Sequence, residues 1–293
     1  WMEMVEINGK KVIVPKLYLS QKTKDRIGSD GKGAGIFADI VALEEAAIEN
    51  DGLIKANTIV GSVSGLNNNT GAKIIAENIS LESQGEINNL GQFKTTDILS
   101  LTTTAGDIIN NGTLTSGGIM NLDSAGNISM SGGRLSSGSD TYLTAVNDIR
   151  LDTIKNDNQV QLVDIGGNLI SSSGGDTMFK GIDVKIADSM ISNAGGDFSM
   201  LKQNDRIKRA TTIDIGGNMM VDSGGSATFE GSKVVVGKNM LVDTVGDINN
   251  SGSITAGSSL SLTTSAGDIL NTGALKSGGM LALDAAKNIL GEA

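Results

Sequence analysis

The sequence predicts an all-β chain wound as a solenoid of about 20-residue coils, and three observations carry that prediction. One segment is written twice, short alternating runs recur at a fixed step, and turn-forming residues fill the intervals. Residues 100–118 read SLTTTAGDIINNGTLTSGG and residues 261–279 read SLTTSAGDILNTGALKSGG, agreeing at 14 of 19 positions. Self-similarity at a fixed period of this size marks a stacked-repeat architecture before any other reading.

Two markers set the period. Asn-x-Gly occurs at Asn50/Gly52, Asn69/Gly71, Asn89/Gly91, Asn110/Gly112, Asn250/Gly252 and Asn271/Gly273. Neighbouring pairs are about 20 residues apart, and the one long gap, Asn110 to Asn250, spans about seven such steps. An acidic or amide residue followed by Ile falls at Glu86-Ile87, Asp107-Ile108, Asn127-Ile128, Asp148-Ile149, Asp247-Ile248, Asp268-Ile269 and Asn288-Ile289. In the middle of the chain Gly166-Gly167-Asn168 and Gly216-Gly217-Asn218 take the place of the first marker.

Each unit holds alternating runs such as Leu99-Ser100-Leu101 and Ile108-Ile109-Asn110. Alternation over a few residues predicts a strand with one buried face. Ser, Thr, Gly and Asn between the runs favour turns and disfavour helices. So short a unit cannot bury its own apolar side, and equivalent strands are therefore expected to lie parallel, about 4.8 Å apart. Leu101 then sits beside Leu81 and Leu122, and Ile, Leu, Val and Met form continuous interior columns. Roughly 12 or 13 coils fit after about residue 33, a rod of about 60 Å. A leucine-rich horseshoe is the rival repeat fold, but the second half of each unit lacks helical periodicity.

The six Asn-x-Gly pairs are expected to form a structural turn column. Asn tolerates the left-handed conformation of a sharp corner, and its amide can pair with the coil above or below. Gly supplies positive φ without a clash.

Two regions follow from the period. Residues 1–32 lie outside it and read as a lead-in or cap over the first open coil edge. In that segment KVIVPKLYLS (11–20) predicts a strand or two broken by Pro15, and Gln21 to Gly35 a polar loop. Residues 33–293 form the repeat domain, whose last coil carries no polar cap and so reads as truncated. VALEEAAIEN (41–50) has a brief helix-like pattern, but Ile48-x-Asn50-x-Gly52 fits coil one better. Residues 150–240 are looser in pattern and contain the interruption LKQNDRIKRATT (201–212).

Composition narrows the function. The formal charge is −10, which disfavours nucleic acid as a partner because counterion displacement needs a basic face. No apolar run approaches the roughly 18 residues of a membrane-spanning helix. Trp1 to Ser20 carries charges throughout, unlike a signal peptide. Cys and His are both absent, so neither disulfides nor a thiolate or imidazole for soft metals are available.

Chemistry is sparse as well. Asp107, Asp247 and Asp268 recur at the coil period, whereas catalytic carboxylates should break a repeat in one place. Trp1, Tyr18 and Tyr142 are the only Trp or Tyr residues, too few for sugar-stacking platforms. Segments GGDTMF and GGDFSM carry only the Gly-Gly-Asp part of a calcium-binding nonapeptide. Neither enzyme, metal site nor cofactor is therefore expected. Lys202, Arg206, Lys208 and Arg209 form the one basic cluster, read either as a solvated excursion or as a contact for an anionic partner.

The units GDIINNGTLTSGG, GDINNSGSITAG and GDILNTGALKSGG resemble the repeats of filamentous haemagglutinin-type exoproteins of two-partner secretion. VPKLYLS followed by a glycine-bearing loop resembles the start of the second repeat region of contact-dependent growth-inhibition exoproteins. GGNLISSSGGDTMFKGIDVKI and GGNMMVDSGGSATFEGSKVVVGKNM are similar to that region too, and the likeness covers residues 10–290. The resemblance implies a right-handed parallel β-helix, export through a partner pore in the Gram-negative outer membrane, and display at the cell surface. It implies a rod segment used as a stalk, or for engaging a target-cell outer membrane during toxin delivery, or, alternatively, an adhesin segment binding host glycan or receptor. It carries over no catalytic residue, and the family's secretion and toxin domains have no counterpart in this sequence.

Overall fold

The computed structural model describes residues 2–7, 10–15, 35–153, 162–204 and 208–291. The described chain is all β, and its repeat region is a parallel solenoid. Three sheets of twelve strands each run the length of the stack, and every coil contributes one strand to each sheet. In one coil these are Leu99–Thr103 in the first sheet, Ile108–Asn110 in the second and Thr113–Ser116 in the third. Along each sheet the neighbours are always the equivalent strands of the adjoining coils.

The repeat fixes this register. Leu101 pairs with Leu81 on one side and Leu122 on the other. Alternation then decides burial: in Leu99–Thr103 positions 99, 101 and 103 point inward while Ser100 and Thr102 point out. Isoleucine at 87, 108, 128 and 149 builds a second interior column, and Ile74, Phe93, Leu114 and Leu135 a third. The members of all three columns are apolar and essentially removed from water. Together they supply the apolar burial that no single unit could reach alone. Eleven steps of about 4.8 Å give a rod of roughly 53 Å.

The helix-like pattern at 41–50 is overridden by the stack. Ile40–Glu44 and Ala47–Asn50 are strands, paired with Thr58–Val63 and Gly65–Asn68. Glu45, between them, turns the chain with φ 60. Most coils keep the short step of the repeat, as from Leu99 to Met120. The looser central pattern has a topological origin: Thr141 pairs with Leu169 and Met190 with Met219, both across visibly longer steps. Both long coils expand at the corner between the second and third sheets, after Asp152 and after Leu201. The coil between them needs only Gly181 and Ile182 there.

Near the start of the chain Met2–Ile7 and Lys10–Pro15 form an antiparallel hairpin with Met2 opposite Pro15. The strand ends at the proline, which lacks the N–H a ladder needs. This hairpin is a two-stranded sheet of its own and extends none of the three long sheets. The expected loop from Gln21 falls outside the described residues up to Gly35.

Leu101→Ala should lower stability to chemical denaturation by about 2–5 kcal/mol, the cost of deleting a buried leucine from a packed core. Ser100→Ala, one residue away on the outer face, should stay within about 0.5 kcal/mol. Equal effects from the two substitutions would contradict the inward–outward alternation.

Candidate functional site

Asparagine side chains at the end of the second-sheet strands form a ladder inside the rod. Asn50 Nδ2 donates to Asn68 Oδ1 at 2.8 Å, Asn68 to Asn89 at 2.7 Å, and Asn89 to Asn110 at 2.6 Å. Asn250 Nδ2 donates to Asn271 Oδ1 at 2.7 Å near the other end. Remaining donor capacity goes to carbonyls, as from Asn89 Nδ2 to Thr113 O at 3.3 Å. An amide can be buried here because each coil presents a complementary amide to the next.

Two features of the expected asparagine column are corrected by this geometry. Asn69 is not a member: its Nδ2 points outward to Asp51 Oδ1 at 2.8 Å and Glu49 Oε2 at 3.2 Å, and Asn68 occupies the ladder. Asn68 pairs with Asn50 and Lys73 with Leu53, so the corner after Asn68 is longer than the one before it. The interior amide therefore lies one position ahead of the Asn-x-Gly triplet. The asparagines are also not left-handed: among the described non-glycine residues only Glu45 and Lys208 have positive φ. Asn50, Asn68, Asn89, Asn110, Asn250 and Asn271 instead end extended strands with the side chain turned inward.

The glycines of the column serve a different need from the expected one. Gly71 alone among them has positive φ, at 83°. Gly52, Gly91, Gly112, Gly252 and Gly273 do not. A Cβ on Gly112 would overlap the Gly91 carbonyl oxygen, and one on Gly273 would overlap the Gly252 carbonyl oxygen. Close approach of successive coil backbones therefore selects glycine at these corners.

In the central coils the same interior column becomes apolar. Asn110 is followed in register by Met130, Leu151, Phe179, Met200 and Phe229 before Asn250 resumes the amide series. Phe198, on the neighbouring column, lies 6.1 Å from both Phe179 and Phe229 in tilted ring pairs. Thr177 and Ala227 flank Phe198 along its own column, so large and small side chains interdigitate. The signal for this exchange was present as an apolar residue at each coil-spaced position where Asn was missing.

The recurring aspartates occupy an outer ladder at the corner between the first and second sheets. Asp107 Oδ1 accepts the N–H of Asn127 at 2.7 Å, and Asp148 Oδ1 that of Asp176 at 2.8 Å. Asp247 Oδ1 accepts from Asp268 N at 2.9 Å, and Asp268 Oδ1 from Asn288 N at 2.8 Å. Each carboxylate thus satisfies a backbone donor of the next coil. The Asp176 N–H holds the Asp148 carboxyl below its usual 3.8, burial opposes this, and the Arg150 guanidinium at 2.7 Å adds to the lowering. A lowered folded-state value means that this stabilisation is present above pH 3.8 and is lost as pH falls through the folded value.

A matching ladder stands at the corner before the first-sheet strands, and it takes in Asn168 and Asn218, which the repeat pattern had set in place of the Asn-x-Gly corner. Asp140 Oδ1 accepts from Asn168 N at 2.8 Å, Asn168 Oδ1 from Ser189 N at 3.1 Å, and Ser189 Oγ from Asn218 N at 3.0 Å. Its signal is a small polar residue just before the first-sheet strands from Thr141–Ala145 to Leu260–Thr264: Asp140, Asn168, Ser189, Asn218, Asn239 and Ser259. Among the described residues, no group of three or more Asp or Glu side chains is arranged to hold a metal ion.

The basic cluster lies on the connection 202–211. Lys202 Nζ is 3.7 Å from Glu230 Oε1, which also accepts from Asn204 Nδ2 at 3.2 Å. Gln203 N donates to Arg209 O at 2.6 Å, closing the base of the excursion, and Lys208 turns it with φ 52. Thr211 Oγ1 anchors it to Leu201 O at 2.6 Å. Arg206 lies outside the described residues. Lys202, Lys208 and Arg209 thus share one short connection, with the Lys202 charge offset by Glu230.

Asn89→Ala should cost about 1–3 kcal/mol, because it leaves the Asn68 donor and the Asn110 acceptor unpaired in the interior. Asn89→Asp should cost more, since it sets an oxygen against Asn110 Oδ1. Denaturant midpoints of the two variants check the order, and an unchanged midpoint for either would contradict the ladder.

The comparisons with known proteins agree with a repeat rod. A family described as repeats of unknown function (DUF5649) matches residues 76–131, 112–163 and 237–291. The tRNA nuclease CdiA of Yersinia mollaretii is 26% identical over 110 residues, which is 36% of this chain and 4% of that protein. The chain therefore spans a small fraction of that relative's length. No solved structure matches the chain. The chain is a parallel β-solenoid similar in part to the repeats of unknown function and to a segment of the tRNA nuclease CdiA.

Proposed function

We propose that the chain is a non-enzymatic rod segment of a large secreted exoprotein displayed at the surface of a Gram-negative cell. The observation that carries this reading is the unbroken stack: each of the three sheets passes through twelve coils without losing its register. Such a stack holds its two ends a fixed distance apart and needs no cofactor to do so. The ladder carboxylates and amides are engaged with neighbouring coils along the axis, which is the work of a scaffold. The likeness to a segment of CdiA supports the exoprotein setting and, within it, export through a two-partner pore.

In that setting the rod serves as a stalk and as the part of the parent that engages the target-cell outer membrane during contact-dependent toxin delivery. The looser central coils, with two enlarged corners, are the region that departs from a plain spacer. An adhesin segment binding host glycan or receptor is the second reading, and it rests on the cationic connection at Lys202, Lys208 and Arg209.

Deleting residues 35–291 from the parent exoprotein should abolish toxin entry into target cells while surface display, followed by antibody labelling, stays intact. Loss of display would count against the delivery role. Binding of the purified chain to host cells, lost when Lys202, Lys208 and Arg209 are neutralised, would favour the adhesin reading.

A further inference from the structure

The outer face of the first sheet is not uniform along the rod. One outward column runs in register through Ser80, Ser100 and Asn121, then Tyr142, Ile170, Ile191, Met220 and Leu241, then Ser261. Five successive coils thus replace small polar residues with large apolar ones. Tyr142, Met220 and Leu241 are 38%, 40% and 40% exposed, and the two isoleucines between them are partly exposed. Nothing in the fold requires this, since Ser fills the same position in other coils.

The surroundings of the stripe have a definite shape and charge. At the adjoining corner Gly174, Gly195 and Gly224 lie in one column between Val146 and Val245, which are 64% and 49% exposed. The corner is therefore a low shelf closed by an apolar side chain at each end. Two residues beyond Met220 and Leu241 on the same face stand Asp222 and Asp243, both exposed. Neither is in an ion pair among the described residues.

We propose that this stripe and shelf dock an amphipathic α-helix of a partner protein, its apolar face on Tyr142 to Leu241 and its basic flank beside Asp222 and Asp243. The stripe runs along the rod with a step of about 4.8 Å, set by strand spacing. A helix laid along it offers an apolar residue every turn, about 5.4 Å, and so drifts by only about half a step over four steps. An extended chain presents same-face residues about 6.8 Å apart and falls out of step. Four steps span about 19 Å, the length of about 13 helical residues. The acidic flank and the chain's −10 charge select a cationic occupant over a second copy of the chain or an anionic lipid surface.

The probe is a short leucine–lysine peptide, about 14 residues long to cover the stripe, with Leu at helical spacing and Lys along one flank. Titrated into the full chain by fluorescence anisotropy, it should bind saturably, and a scrambled peptide or one with Glu in place of Lys should bind at least tenfold more weakly. Met220→Ser with Leu241→Ser should weaken binding at least tenfold, and Leu270→Ser on the second sheet should leave it unchanged. Circular dichroism checks that the fold is kept, as it should be because Ser80, Ser100 and Ser261 share the column. Tyr142→Asn, which takes the residue of the adjoining coil, is an independent second variant. Asp222→Asn with Asp243→Asn should weaken binding several-fold and flatten its salt dependence. Binding indifferent to both stripe variants would overturn the proposal. So would stripe-dependent self-association in sedimentation, or stripe-dependent binding to phosphatidylglycerol vesicles, with no binding of the peptide.

Discussion

Every feature of this rod depends on in-register stacking of parallel strands. Once successive coils lie about 4.8 Å apart, each side chain has the equivalent side chain above and below as its nearest neighbour. An inward residue must then be compatible with its own copies along the axis. Leucine and isoleucine meet that condition by dispersion and water exclusion, and asparagine by donating to the next amide. At the corners the same spacing brings carbonyl oxygens so close to the next backbone that Gly112 and Gly273 have no room for a Cβ. The aspartates of the outer ladder each accept a backbone N–H of the next coil and so tie successive corners together.

The legible part of the fold is the part that repeats. A side chain that must match its neighbours leaves a period, and the period alone placed Leu101 against Leu81 and Leu122. It was less able to place single residues at corners, where coils tolerate insertions. In Asn67-Asn68-Asn69 three identical residues offer three choices, and only the interior geometry selects Asn68. The reason for the corner glycines was misread because positive φ and crowding leave the same mark in a sequence. The hairpin at Met2–Ile7 and Lys10–Pro15 was half visible: the second strand shows its β-branched run, whereas MEMVEI is short and interleaved with charge.

The central coils depart from the flanks inside and out. Inside, Met130, Leu151, Phe179, Met200 and Phe229 replace amides that donate to one another, exchanging directional hydrogen bonds for aromatic and sulfur packing. Outside, the apolar column from Tyr142 to Leu241 covers nearly the same coils, and two enlarged corners fall within them. Interior and exterior are separate faces of the same short strands, so a change on one does not force a change on the other. Their coincidence marks a specialised stretch carried between regular ends.

The stacking itself is open to direct measurement, because the chain has no cysteine and accepts pairs of spin labels on its outer face. Thr102, Thr144, Asn193 and Asp243 share one outward column, separated by two coils at each interval. Cysteine at 102 labelled together with cysteine at 144, 193 or 243 should give electron-spin distances of about 10, 19 and 29 Å, rising linearly with coil number. Distances that fail to rise in proportion to the number of coils would contradict the in-register stack.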